Sequence, residues 1–403
     1  MESKTILFYY ASPPSVMMYK IARAFREKNY RTVLVTMCEK DRFDNNFYKE
    51  AFDIIVCSNF QFFKPGLKTI PYLVKRGPHF LNFLISMKLF RPYAVIATSG
   101  NNWQIELVHK YFFKKYPFIY FPYDILSHYY ENMDEALKRG PKKFEIMAEK
   151  YCFENSDGVM HKGDPGELDL IQGRIHKRIK HPKYSLNFLP YCSKEFNVPL
   201  NKNKLSKKNK EIHVVYIGFV SNSPESTKKI VSYINSLTSQ KIHFHIYATA
   251  KHIPEEQEKK IINEMYGPLL KSKYFHLHAS LGPKEIVPEI SKYDYGFWSS
   301  NVTDLGNIEP KISMGNKLSS YFEAGLPLVY EDSAIFLDKL MKKYHTGIAF
   351  NKNNLGTIFS KLKRVNYGSM EKNVINARED LDIDNNFPRL LKFIDKIVEN
   401  KEK

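Results

Sequence analysis

The chain has 403 residues, of which 43% are hydrophobic, enough for two domains with buried cores and too apolar for a disordered protein. Its formal net charge of +18 calls for an anionic partner: nucleic acid, an anionic membrane surface or a phosphorylated substrate. No RNA-recognition, helix-turn-helix or zinc-finger pattern accompanies the charge, which argues against nucleic acid, and the wide spread of lysines makes part of it compositional background.

Thr5 to Tyr10 is too short for a secretory signal, and the apolar region from Phe80 to Ile96 is broken by Lys88, Arg91 and Pro92, so no membrane span is expected. Cys38, Cys57, Cys152 and Cys192 have neither metal nor disulfide spacing and read as thiols in a reducing cytoplasm. The expected location is therefore cytoplasmic. Lys75, Arg76, Lys88 and Arg91 flank Phe80, Leu81, Phe83, Leu84, Met87, Leu89 and Phe90. That mixture suits the inner face of an anionic membrane, or equally a buried helix pair with a basic rim.

Strands and helices alternate from the start. Ile6–Tyr10 reads as a strand, Met18, Ile21, Ala22 and Phe25 recur at helical spacing, and Thr32–Thr36 is a second strand. Ile54–Cys57, Tyr93–Ala97, Phe118–Phe121 and Gly158–His161 continue the strands, with helices at Gln104–Lys114 and Asp134–Phe153. Such alternation predicts a parallel sheet covered on both faces. Phe196–Lys210, with Pro199 and five lysines, reads as an exposed linker. A second series follows: strands at His213–Ile217, His243–Tyr247, Phe275–Leu277 and Tyr295–Trp298, and helices at Ile230–Leu237, Glu255–Met265 and Pro283–Ser291. Helices at Ile335–Lys343 and Leu355–Lys363 come later, and Arg389, Leu390, Phe393, Ile394 and Ile397 mark an amphipathic final helix.

The segment Pro310–Pro327 stands apart. Gly315 and Asn316 announce a helix start, Leu318 and Phe322 share a buried face, and Gly325 stops the helix before the strand Leu326–Tyr330. Lys317 sits in the first turn, where the helix dipole disfavours a cation but where an anionic ligand would welcome one.

Asn316, Lys317, Leu318, Tyr321, Ala324, Gly325, Leu326 and Pro327 match in register the donor-binding segment of GT-B glycosyltransferases, especially the retaining family-4 type. Val215-Tyr216-Ile217-Gly218, Pro283-Lys284-Glu285-Ile286, Tyr293–Phe297 and the final helix from Asn386 also resemble that family, so the resemblance covers nearly the whole chain. It implies an α/β fold of two Rossmann-like, doubly wound parallel-sheet domains. Residues 1–198 would form the acceptor-side domain, 199–382 the nucleotide-sugar donor domain, and 383–403 a helix crossing back to the first, with the ligand in the cleft between domains. No Gly-x-Gly-x-x-Gly follows the first strand and no P-loop occurs, which disfavours a dinucleotide enzyme or kinase.

The resemblance also implies roles. Lys317 would meet the diphosphate charge, and Gly218 would let backbone approach it. Ser221 and Asn222 either donate to the diphosphate or cap the helix beginning near Pro224. Tyr247 lies where the fold holds the nucleotide base, and Lys311 and Glu309 in the preceding loop are within reach of the sugar. Family members often carry Glu-x7-Glu, but these positions are Ile312 and Ser320 here, with Glu323 one turn on as a partial substitute. On the acceptor side Asp124 would serve the acceptor hydroxyl or cap a helix, and Asn101 and Asn102 would hydrogen-bond an acceptor sugar.

The implied function is a cytoplasmic glycosyltransferase, peripheral at the membrane, moving a hexose-like sugar from a nucleotide diphosphate donor to a glycan or lipid-linked acceptor in surface polysaccharide or glycoconjugate assembly. No metal or cofactor is expected, because Lys317 would meet the leaving charge, and the Asp380–Asp384 run reads as helix-start acid. The alternative is a catalytically silent GT-B subunit that scaffolds a partner transferase, favoured by the missing glutamates.

Overall fold

The structure is a computed structural model describing residues 3–10, 14–38, 45–57, 85, 87–98, 101–180, 182–219, 224–249, 255–299, 307–351 and 353–402. The chain divides into two compact units, Met1–Leu189 together with Asn386–Lys403, and Pro190–Asn385. Each is built on a parallel sheet with helices between successive strands, as expected when buried strands of Val, Ile and Phe alternate with amphipathic helices.

In the first unit the described strands are β1 (Thr5–Tyr10), β2 (Arg31–Thr36), β3 (Ile54–Cys57), β4 (Ala94–Thr98), β5 (Phe118–Tyr120), β6 (Gly158–His161) and β7 (Tyr184–Asn187), in the order β3-β2-β1-β4-β5-β6-β7. β1 and β2 pair from Thr5↔Arg31 to Tyr10↔Thr36, which aligns the strand starts of this half along one edge. The order reverses at β1/β4, the position where such sheets open a crevice at the strands' carboxyl ends.

The helix Ile383–Glu402 lays Leu390, Ile394 and Ile397, each at most 1% exposed, onto this sheet. Gly158 makes room for it: a Cβ there would sit 2.4 Å from Ile397 Cδ1 and 2.8 Å from Phe393 Cζ. Phe387 meets Phe25 edge-on at 4.8 Å between centroids, and Tyr93 donates to Asp395 at 2.8 Å. Fully burying three such aliphatic side chains contributes roughly 5–9 kcal/mol before entropy is charged.

The second unit holds β8 (His213–Phe219), β9 (His243–Thr249), β10 (Phe275–His278), β11 (Tyr295–Trp298), β12 (Leu328–Glu331) and β13 (Gly347–Phe350), ordered β10-β9-β8-β11-β12-β13. Its core stacks Phe297 on Phe350 at 5.4 Å, with Phe244 and Tyr233 edge-on to Phe297.

Three expectations need correction. Asp134–Phe153 is two helices, Met133–Arg139 and Lys143–Asn155, because Gly140-Pro141 ends the first: proline lacks the N–H that would continue it. The lysine-rich stretch after Phe196 is only partly a solvated linker: Lys202, Lys207, Lys208 and Lys210 are exposed, but Lys204 is not. Leu205–Asn209 is helical, and the Lys204 ammonium is buried, donating to Tyr293 O at 2.8 Å and pairing with Glu371 at 3.3 Å. Desolvation pulls its pKa down, and only those fixed oxygens make the burial tolerable. Finally, β7 and β13 were not anticipated, being four-residue strands.

Candidate functional site

β8 and β11 are neighbours at the point where the second sheet reverses its order. Their pairing covers only Tyr295↔Val214 and Gly296↔Val215. Beyond it Tyr321 enters as a wedge: its hydroxyl accepts from Ile217 N at 3.1 Å and donates to Phe297 O at 3.0 Å, replacing the ladder bonds the diverging strands give up. Gly296 is required for this, since a Cβ would lie 2.6 Å from the Tyr321 ring. Tyr321 comes from the helix Lys317–Glu323, whose stop at Gly325 is set by a left-handed φ of 73°.

The same helix begins with Lys317, placed over this opening. Its ammonium stands 4.2 Å from the Tyr216 ring centroid and 5.0 Å from that of Trp298, and it forms no ion pair among the described residues. Two glycines shape the space. Gly218 has φ 140°, a conformation side chains rarely adopt, and a Cβ there would approach Lys317 Nζ to 3.5 Å. At Gly315 a Cβ would strike the Trp298 ring at 2.5 Å. The result is a cation held by aromatic faces beside bare backbone, each ring contact contributing about 0.5–1 kcal/mol.

Other expected site residues fall around or away from this point. Ser320 is half-buried on the same helix and Lys311 is exposed on the short helix Glu309–Ile312 before it. The Glu323 carboxylate is turned inward, 1% exposed, accepting from Ser193 N at 2.8 Å, so it ties down the Pro190–Val198 segment instead of replacing the missing ribose glutamate. Ser221 and Asn222 lie outside the described residues.

Tyr247 belongs to a different construction. Its hydroxyl donates to Glu289 at 2.5 Å and shares a 2.8 Å bond with Tyr293, while its ring stacks on His278 at 4.5 Å. From there a ladder of imidazoles crosses the outer half of the sheet. His278 Nε2 meets His245 Nδ1 at 3.0 Å, and His245 Nε2 meets His213 Nδ1 at 2.9 Å. His276 Nε2 meets His243 Nδ1 at 2.8 Å, and His243 Nε2 donates to Glu211 at 2.6 Å. His213 lies over His243 and His245 over His276, both at 4.3 Å. Burial and the neighbouring imidazoles push His213 and His276 down to about 4, and His245 lower still.

On the first unit Asp124 caps no helix. It pairs with Lys162 at 3.0 Å, and that ammonium also lies 4.1 Å above the Tyr123 ring. Both follow strand ends, of β5 and β6, so they share the sheet's carboxyl edge. Asn102 is buried, its Oδ1 accepting from Tyr120 at 2.7 Å, which makes it a core residue and not a sugar ligand. Asn101 stands before the helix Asn102–Val108 without a side-chain cap bond. Sequence reasoning missed Tyr216, Trp298 and Lys162. Trp298 ends β11 and Tyr216 lies mid-way along β8, two residues before Gly218, a signal visible only once Gly218 and Gly315 are placed together.

No protein-family model matches the chain, and no curated protein sequence matches it. Solved structures do. HepE of Anabaena, determined with UDP and glucose, superposes with a TM-score of 0.63 at 13% identity, covering 98% of this chain and 99% of that one. A glycosyltransferase from Rickettsia africae gives 0.63 at 11% identity over 99% and 100% of the two chains. The lipopolysaccharide outer core galactosyltransferase WaaB gives 0.54 at 14% over 98% of each. Two doubly wound parallel sheets of seven and six strands, alike in both units to these proteins over nearly their full length, give this chain the fold of the GT-B glycosyltransferases.

Proposed function

We propose that the chain transfers a sugar from a nucleoside diphosphate sugar to a glycan or lipid-linked acceptor, as part of polysaccharide or glycoconjugate assembly. The observation that carries this reading is the Lys317 ammonium standing over Gly218 at the switch point of the second sheet. A compact cation beside exposed backbone suits a diphosphate, and HepE, of the same fold, was solved with UDP.

In the transfer, the bond between the anomeric carbon and the β-phosphate oxygen breaks, and the acceptor hydroxyl oxygen forms the new bond. Negative charge grows on the departing diphosphate. Lys317 meets that charge without reorganising, because Tyr216 and Trp298 hold the ammonium in place beforehand. Ser320, Lys311, Ser221 and Asn222 are the proposed further donor contacts. Asp124, anchored by Lys162, is the proposed partner of the acceptor hydroxyl. The donor unit would be the second and the acceptor unit the first, working in the cytoplasm against acceptors presented at the membrane's inner face. Within the basic–aromatic region invoked for that face, only Ile85 and Met87–Arg91 are described, with Leu89 75% exposed.

Titration with UDP, GDP, CMP and dTDP tests the reading. A matching nucleotide at a hundred times its Kd should raise stability by about 2.7 kcal/mol. Lys317→Ala should cut turnover by roughly 10²–10³-fold while the fold persists. A wild-type chain that binds none of these nucleotides or their sugars defeats the proposal, as does full turnover by Lys317→Ala.

A further inference from the structure

The first unit also has a cavity at the opposite edge of its sheet, where the strands begin. Thr5 opens β1, Arg31 opens β2, and Tyr93 and Pro117 precede β4 and β5; all four line it, closed on one side by the last turn of the helix Ile383–Glu402. Its volume is about 840 Å³, within the size range of small-ligand sites. Lys4, Arg31, Arg91, Lys115 and Lys401 line it, against the single carboxylate of Glu402.

Most of these cations are not used by the fold. Lys401 is bound by both oxygens of Asp157, each at 2.8 Å. Lys4, Arg31, Arg91 and Lys115 have no carboxylate partner among the described residues, and Lys4 rests 4.0 Å over the Tyr93 ring. That ring is fixed: Tyr93 N donates to Thr5 O at 2.8 Å and its hydroxyl to Asp395 at 2.8 Å. A neighbouring cavity of about 420 Å³ shares Phe90, Lys115 and Tyr116 and adds Lys88, Lys114 and Lys110, the last of them paired with Glu106. Like charges collected around a concave, rigid floor repel one another unless an anion joins them.

We infer that this edge of the first unit is a second ligand site, one that takes a group bearing two or more phosphates. Arg31 and Arg91 present forks suited to bidentate phosphate contact, Lys4 and Lys115 add point charges, and Tyr93 and Phe90 supply faces for an attached apolar or ring moiety. The site lies at the strands' amino ends, whereas the transfer chemistry is assigned to carboxyl ends, so its occupant is not the donor. Free polyphosphate compounds and phospholipid headgroups share this chemistry.

The test uses the full chain carrying Lys317→Ala, so that the donor site does not report. Calorimetry with inorganic tripolyphosphate, and sedimentation with phosphatidylcholine vesicles containing cardiolipin, whose headgroup carries two phosphates, separate the two sources. Binding of either probe is expected, weakened by roughly a hundredfold in a variant adding Arg31→Gln, Arg91→Gln and Lys115→Gln. A control replacing the exposed Lys207, Lys208 and Lys210 by glutamine should bind as before. Tripolyphosphate alone binding identifies a soluble ligand; vesicles alone, a headgroup. No binding of either probe overturns the inference, and so does equal weakening in the control, which would mean unspecific attraction by net charge.

Discussion

Two parts of the second unit's sheet are built from the same kinds of side chain and end up chemically opposite. At the β8/β11 divergence, tyrosine, tryptophan and lysine meet around two glycines, and the lysine ammonium lies over ring faces with no carboxylate partner among the described residues. Across β8, β9 and β10, histidines and Tyr247 satisfy one another, ring on ring and nitrogen to nitrogen, until little donor capacity remains. The difference lies in what the backbone does. Where strands stay paired, polar side chains on one face come into register and consume each other. Where strands part and glycine removes the side chains, a polar group is left with room in front of it. Unsatisfied capacity, more than polarity, distinguishes a site from a core.

The comparison breaks most severely at Gly218. Gly218→Val would force a branched side chain into φ 140° and toward the Lys317 ammonium. Turnover should fall by about a hundredfold or more, and nucleotide affinity with it, and the strained backbone of this paired β8 residue should cost about 1–3 kcal/mol of stability without unfolding the chain. Normal affinity in this variant would show that the cradle is not where the diphosphate rests.

The wedge comes next. Tyr321→Phe leaves Ile217 N–H and Phe297 C=O without their partner in a buried place, and should cost about 1–3 kcal/mol by chemical denaturation. A loss much below this would mean that β8 and β11 close up on each other when the hydroxyl is gone.

The smallest effect concerns the ladder and pH. His213 and His276 titrate near 4 in the folded chain and near 6.5 unfolded, since burial and then neighbouring imidazoles disfavour their charge. The unfolded chain therefore takes up more protons between these values, so the stabilisation is complete above about pH 6.5 and drains away as pH falls toward 4. Hydrogen exchange should show β8–β10 losing protection over that window before β11–β13 do. Uniform protection down to pH 4 would show that Glu211, Glu289 and the imidazoles absorb protons without strain.

Much of this was legible in the sequence, for stated reasons. The alternation of apolar strands and amphipathic helices gave the two parallel sheets, because period and handedness rules leave few alternatives. The helix and strand around Lys317 were placed by Gly315, Asn316 and Gly325. What failed was pairwise. His243-x-His245-x-Tyr247 and His276-x-His278 display period two, yet only the register His276↔His245 and His213↔His243 shows which rings stack. Glu323 was read as facing a ligand since one face of a helix is all that spacing provides; which face is buried depended on Ser193, 130 residues away in sequence. Lys204 looked solvated because lysine runs usually are, and its three oxygen partners lie about 90 to 170 residues on.

The discontinuity of the first unit bears on how the chain is made. Its sheet is specified by residue 189, but Asn386–Lys403, which cover Gly158 and its surroundings, emerge only after the whole second unit. At ribosomal speeds that interval lasts roughly 10 to 40 seconds. During it the second unit, continuous in sequence, is free to fold on its own, while the first waits with an apolar face uncovered. A chain truncated before Asn386 and released is therefore expected to hold a folded second unit beside a first unit that lacks its covering helix.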